Sequence, residues 1–327
     1  GWNSVSVEDE EWETERGVCV RFDGMKSPNI LAGKTKYDFL INEDQVRQAQ
    51  KYDGEDSPKF WKYTRGFWSP EGVVKTVLSE NLVEKYRVMQ PPVFKTHSQM
   101  IAGLDPAFAG GDRCVLQTAR YGEFENGKMG IGLQDNKIIE IDASSSEPVH
   151  FQIAKRVREI CEEEKISPSN LAIDATGEGG GLCDIIAKTW SPQIKRVEFG
   201  GKASDRPVSP EDHRKSNDVY ANKVTELWFS VRQWVINEQL RGMPADVVVE
   251  FCSRMFDDEK RMTIVERKVE MKGRTGKSPD LADAVALVVE MTRRLGGHPT
   301  SQVGVGSNSS WDQMVREYDS IYYDTFA

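Results

Sequence analysis

Ile101-Ala102-Gly103-Leu104-Asp105 is a short apolar run closed by an acid, and Leu171-Ala172-Ile173-Asp174 repeats the pattern further along the chain. Each reads as a buried strand whose last residue is charged. A carboxylate there stands at the edge of the core, where an unpaired charge is expensive. Coordination to a cation would remove that cost. A turn aspartate before Pro106 is the bland reading of Asp105. The second run leads into Ala175-Thr176-Gly177-Glu178-Gly179-Gly180-Gly181, a small-residue loop that lets a ligand approach the backbone. Glu178 either joins such a site or points into solvent.

A third acidic element is Ser278-Pro279-Asp280-Leu281-Ala282-Asp283-Ala284. Ser278 suits a helix N-cap and Pro279 the first helical position. Asp280 and Asp283, three apart, share one helix face. The helix dipole accounts for Asp280, but not for Asp283, which is flanked by alanines at the head of an apolar helix. Hydrolysis of a phosphodiester by two divalent cations about 4 Å apart needs three or four oxygen ligands. Asp105, Asp174, Asp280 and Asp283 are the candidates.

Outward from these runs, strands are expected over 100–105, 114–121, 128–141, 171–174 and 194–199. Helices are expected over 148–165, 181–190, 217–240 and 278–295, from apolar residues at helical spacing. Residues 262–271 read as hairpin-like strands. Strands interleaved with helical crossovers give an α/β fold with a mixed sheet. Residues 98–295 form the expected catalytic domain. Residues 1–97, with turn signals, a helix over 42–49 and an aromatic run over 60–68, read as a linker extension without a complete core. Residues 296–327 read as a Gly/Ser-rich linker and an acidic, aromatic tail.

The 327 residues carry a net charge of −9, which argues against a basic DNA-coating protein but not against a nuclease, whose site concentrates carboxylates. The charge is uneven. Lys260, Arg261, Arg267, Lys268, Lys272, Arg274 and Lys277 stand against only Glu266 and Glu270 in one stretch. Lys268, Lys272, Arg274 and Lys277 are the candidates for phosphate contact, beside the aspartate pair. The five cysteines never form C-x-x-C, so neither a zinc site nor a disulfide framework is indicated, and reduced thiols are expected. The acidic start around Glu8-Asp9-Glu10-Glu11 is unlike a secretory signal, and no apolar stretch is long enough to span a bilayer. Gly33-Lys34-Thr35 lacks the earlier glycine of a phosphate loop, since Pro28 stands there. Leu182 occupies the last glycine place of a dinucleotide loop counted from Gly177.

The chain resembles the C-terminal nuclease region of a bacteriophage terminase large subunit, the motor and nuclease of DNA packaging. The resemblance covers about residues 98–295. It rests on Gly103-Leu104-Asp105-Pro106-Ala107 with Gly110-Gly111-Asp112, and on Ile173-Asp174-Ala175-Thr176-Gly177 with Gly179-Gly180-Gly181. It rests equally on the stretches from Ala221 to Trp228 and from Gly276 to Ala284. Residues 17–95, with Arg21-Phe22-Asp23-Gly24 and Arg65-Gly66-Phe67-Trp68, resemble the stretch that joins ATPase to nuclease. The ATPase itself is absent.

This resemblance implies an RNase H-like, RuvC-type fold and two Mg²⁺ or Mn²⁺ ions. It implies Asp105, Asp174 and Asp283 as catalytic carboxylates and metal ligands, with Asp280 as a further ligand; which of the helix pair is the main ligand stays open. The implied substrate is concatemeric double-stranded viral DNA, the partners a terminase small subunit and a portal protein, and the place of action the cytoplasm of an infected bacterial host. Alternatives are a RuvC-like junction resolvase or transposase, a non-catalytic packaging or docking module and, third, a nucleotide-binding enzyme.

Overall fold

The computed structural model describes residues 10–14, 17–53, 60–67, 75–95, 97–108, 111–209, 212–258 and 261–300. Glu8 and Asp9 at the head of the acidic run, Trp68, Gly110, Lys260 and the tail from residue 301 lie outside them. Six strands form the central sheet: β1 (Gln99–Asp105), β2 (Val115–Glu123), β3 (Met129–Ile138), β4 (Leu171–Asp174), β5 (Lys195–Val197) and β6 (Leu240–Arg241). Their order is β5-β4-β1-β2-β3-β6. β1, β2 and β3 form an antiparallel meander, and β4 and β5 continue it on the other side as parallel strands. This is the mixed sheet flanked by helices that the sequence predicts.

Strand pleating sorts the side chains to two faces. Ala102, Leu104, Leu171 and Ile173 pack on one face with α1 (Val149–Glu163) and α2 (Glu178–Thr189). Ile101 and Ala172 pack on the other, with α3 (Lys223–Ile236), α4 (Ala245–Ser253) and α6 (Asp280–Arg294). Asp105 and Asp174 therefore share the α6 face. The parallel register pairs Leu104 with Ile173, so the two acids end neighbouring strands at the same level.

Helix α6 is buried from Asp280 to Arg293, as a helix lying between a sheet and other helices must be. Its closest approach is at Gly103. A Cβ there would lie 2.6 Å from the Ala284 carbonyl oxygen and 2.7 Å from the Leu287 Cβ. Gly103→Ala is expected to push α6 off the sheet and cost roughly 1–3 kcal/mol. A urea midpoint equal to wild type would show that the helix yields freely. Residues ahead of β1 also join this core: Val77, Leu78, Val83 and Val88 are buried in it.

Three local expectations are corrected. Residues 262–271 form only a two-residue strand, Ile264–Val265, paired with Phe256–Asp257, and then α5 (Lys268–Thr275). Local capping overrides alternation: the Glu270 carboxylate accepts from the Arg267 N–H, and Gly276 closes the helix at φ 76°. The expected long helix over 217–240 is broken at Tyr220, because Asn222 caps a fresh start by accepting from the Thr225 N–H. Ser278 does not cap α6. Its hydroxyl donates to Asp280 instead, and Glu250 on α4 accepts the Ala282 N–H. Cys114, Cys161 and Cys183 are buried free thiols. No helix among the described residues is long and apolar enough to cross a membrane.

Candidate metal centre

Asp174 leaves β4 with one oxygen already held. Its Oδ1 accepts from the Thr176 N–H at 3.0 Å, the Thr176 hydroxyl at 2.6 Å and the Phe199 N–H at 3.3 Å. The turn after β4 supplies the first two donors and the chain after β5 the third. Burial raises the Asp174 carboxyl above its ordinary range, these donors oppose the shift, and the charge of Asp283 adds to it. Asp105 is buried at the end of β1. Burial pushes its carboxyl well above the ordinary range; Lys268 pulls it back, and Asp283, Asp174 and Asp280 push it further up. The four predicted aspartates thus feel one another's charge, although they come from three separate parts of the chain.

The first turn of α6 brings the other pair against β1, and Lys268 on α5 reaches in among them. Its Nζ lies 3.2 Å from Asp105 Oδ2, 2.7 Å from Asp283 Oδ2 and 3.8 Å from Asp280 Oδ1. Burial opposes the lysine's charge, but Asp283 and Asp105 outweigh that and hold it protonated. One cationic atom therefore stands among three carboxylates.

The helix aspartates differ in what else they touch. Asp280 has both oxygens engaged: Oδ1 accepts from the Ser278 hydroxyl at 2.5 Å and Oδ2 from the Arg113 N–H at 2.9 Å. Asp283 Oδ1 accepts from the Trp228 indole N–H at 2.6 Å and Arg254 Nη1 at 3.3 Å. Its Oδ2 is buried with no aligned hydrogen-bond donor; the Lys268 contact is a charge contact off that geometry.

These residues fit hard divalent cations. The donors on offer are carboxylate oxygens, the set Mg²⁺ and Mn²⁺ prefer. Five carboxylates (Asp105, Asp174, Asp280, Asp283 and Glu250) face three cationic side chains (Lys268, Arg254 and Arg113). Burial pushes Glu250 up to about 7 against the pull of the Ala282 N–H and Arg113, and the charge of Asp283 adds to the rise. Among the described residues no three His, Cys, Asp or Glu side chains are already drawn close enough to hold a metal ion. The ammonium of Lys268 stands where they converge.

Glu178 is exposed at the start of α2. Of the predicted phosphate-contacting residues, Lys268 lies within the carboxylate group. Lys272 pairs with Asp112, Arg274 pairs with Glu266 at 2.6 Å, and Lys277 is exposed. Trp228, Arg254, Arg113 and Glu250 escape the sequence reading as site residues. Trp228 does stand within one of the resembling motifs, which is the one signal that pointed to it.

No family model and no curated protein matches this chain. Several solved structures are similar to it. One is a mutant nuclease domain of the large terminase subunit gp2 of bacterial virus Sf6, with manganese and beta-thujaplicinol. It is 17% identical over 60% of this chain and 89% of that one, with a TM-score of 0.43. Thermus thermophilus RuvC is 13% identical over 61% of this chain and 97% of its own, with a TM-score of 0.31. The same RuvC in complex with a Holliday junction substrate gives 13% identity, the same coverage and a TM-score of 0.27.

Proposed function

We propose that this chain is a metal-dependent endonuclease that hydrolyses phosphodiester bonds in double-stranded DNA by a two-metal route. The observation that carries the reading is the convergence of Asp105, Asp280 and Asp283 on a single cationic atom, with Asp174 adding its charge from the next strand. Divalent cations bound there would supply water activation and charge neutralisation at the leaving oxygen. Asp105, Asp174 and Asp283 would hold them. Asp280, with both oxygens engaged, would shape the pocket rather than lead it. The chain's own part is to keep these oxygens in place: Thr176 and Phe199 fix Asp174, and Ser278 and Arg113 fix Asp280. Lys268 would give up its carboxylates on metal loading and turn to the scissile phosphate. Lys272, Arg274 and Lys277, on and just beyond α5, would neutralise the flanking phosphates.

The motif resemblance extends the proposal to a role. Residues 98–295 would be the nuclease domain of a packaging terminase, 1–97 its join to a motor and 296–327 its tail. The substrate would be concatemeric viral DNA in the host cytoplasm, with a small subunit and a portal as partners. The test is conversion of supercoiled plasmid to nicked and linear forms with Mn²⁺, with and without chelator, by wild type and by Asp105→Ala. Cleavage that needs metal and Asp105 supports the reading. Equal nicking by both proteins, or nicking that survives chelation, removes it.

A further inference from the structure

We propose that Trp228 and Arg254 are positioning residues that clamp one oxygen of Asp283, leaving the other as the single metal-binding oxygen α6 contributes. This rests on the metal-dependent reading above and deepens it by choosing between Asp280 and Asp283. The choice follows from which oxygens are already engaged. Asp280 spends Oδ1 on Ser278 and Oδ2 on the Arg113 backbone. Asp283 spends Oδ1 on Trp228 and Arg254, and its fully buried Oδ2 is left to the Lys268 ammonium, 2.7 Å away, whose place a cation would take.

The clamp is rigid on both sides. Trp228 is fully buried on α3, with its ring centroid 4.6 Å from that of Phe251. The Arg254 guanidinium lies 4.5 Å over the Trp228 ring, and its Nε donates to the Glu266 carbonyl at 2.9 Å. The indole N–H is a donor only and carries no charge, so it sets the carboxylate's angle without neutralising it. Arg254 supplies the compensating charge. Satisfying a buried indole does not by itself explain the contact, because Trp234, on the same helix, is buried with its Nε1 unpartnered in hydrogen-bond terms. Outer groups that orient a ligand are worth about 10–100-fold in metal affinity.

The test is Mn²⁺ binding by calorimetry on the full chain, with thermal unfolding without metal as the check on folding. Trp228→Phe keeps the ring in the core and removes the N–H. It is expected to weaken Mn²⁺ binding about 10–100-fold while the metal-free protein still unfolds cooperatively. Asp283→Asn is expected to weaken binding more than Asp280→Asn, and adding Trp228→Phe to Asp283→Asn should cost little more, as coupled partners do. If Trp228→Phe does not fold, Arg254→Lys, which keeps the charge and loses the planar fork, carries the same expectation. Wild-type affinity in a folded clamp variant overturns the clamp while leaving the nuclease reading in place. A larger loss from Asp280→Asn overturns the choice of Asp283. A wild-type chain that binds no Mn²⁺ overturns both.

Discussion

Asp105→Asn is expected to yield a protein that is more stable than wild type and nearly inactive. Burial and the charges of Asp283, Asp174 and Asp280 raise the Asp105 carboxyl well above the ordinary range, and Lys268 only partly offsets them. A carboxyl raised on folding contributes its stability below its unfolded value of 3.8 and loses it as pH rises through the folded value. Toward neutral pH the raised carboxyl is therefore a burden on the folded state. The neutral isostere lifts it, so the variant should melt above wild type. On the proposed function the same change removes a carboxylate that holds a cation, a charge stabilisation worth several kcal/mol, so nicking with Mn²⁺ should fall about a thousandfold. On the same proposal saturating Mn²⁺ should also raise the Tm of wild type more than that of the variant, which would lack one of the carboxylates that hold it. A variant that melts lower than wild type and still nicks would contradict both halves.

Arg293→Met is expected to cost about 3–5 kcal/mol, the loss typical of a buried ion pair left with one partner. Arg293 sits near the far end of α6, donating to Glu226 on α3 and, at 3.2 Å, to Glu290. Lys223 Nζ lies 3.4 Å from each of those carboxylates. Ser204 closes the group, giving Glu226 its N–H and hydroxyl at 2.6 Å each. Burial pushes Glu226 up, but Arg293 and then Lys223 outweigh it and hold the carboxyl at about 2, against an ordinary 4.5. A depressed carboxyl contributes stability above its unfolded value and loses it as pH falls through its folded one. Wild type should therefore lose stability between pH 4.5 and 2. The variant, already short of that contribution, should show a shallower acid slope. Urea midpoints at pH 7 and pH 3 measure both effects. An unchanged midpoint at pH 7 would mean that Lys223 and Arg294 suffice for the two glutamates.

The two networks divide α6 between them. About 10 to 13 residues at ~1.5 Å each separate the aspartate pair from Arg293, roughly 15–20 Å. The Arg293 variant should thus lose stability without losing nicking per folded molecule, whereas the Asp105 variant does the reverse. Concentrated carboxylates at one end and matched ion pairs at the other fit a helix that carries chemistry at its start and anchors the fold at its end.

The strands and helices that frame the site were legible because their signals are local. Apolar runs of strand length ending in Asp105 and Asp174, and the apolar stretch after Ser278, needed no knowledge of distant residues. The aspartates stood out as candidates for the same reason: a charge at the end of an apolar run is conspicuous. The helix at Lys268 was misread because Val265, Val269 and Met271 alternate like a strand. The cap at Glu270 and the stop at Gly276 decided otherwise. The role of Lys268 was hidden by its neighbours, since a lysine in a basic run looks solvated until its partners are known.

Side-chain chemistry and periodicity along the chain therefore determined the α/β class, the order of the main elements and the acids at their ends. Tertiary structure decided which acids meet. The parallel register of Leu104 with Ile173 turns Asp105 and Asp174 to one face, and the bare backbone at Gly103 lets α6 bring Asp283 against it. It also decided what each acid touches: Lys268, Trp228, Arg254 and Arg113 lie far from their partners in sequence. The physical reason is range. Propensity and alternation act over a few residues, whereas the charge balance of a buried site is set by groups that only the closed fold brings within a few ångströms.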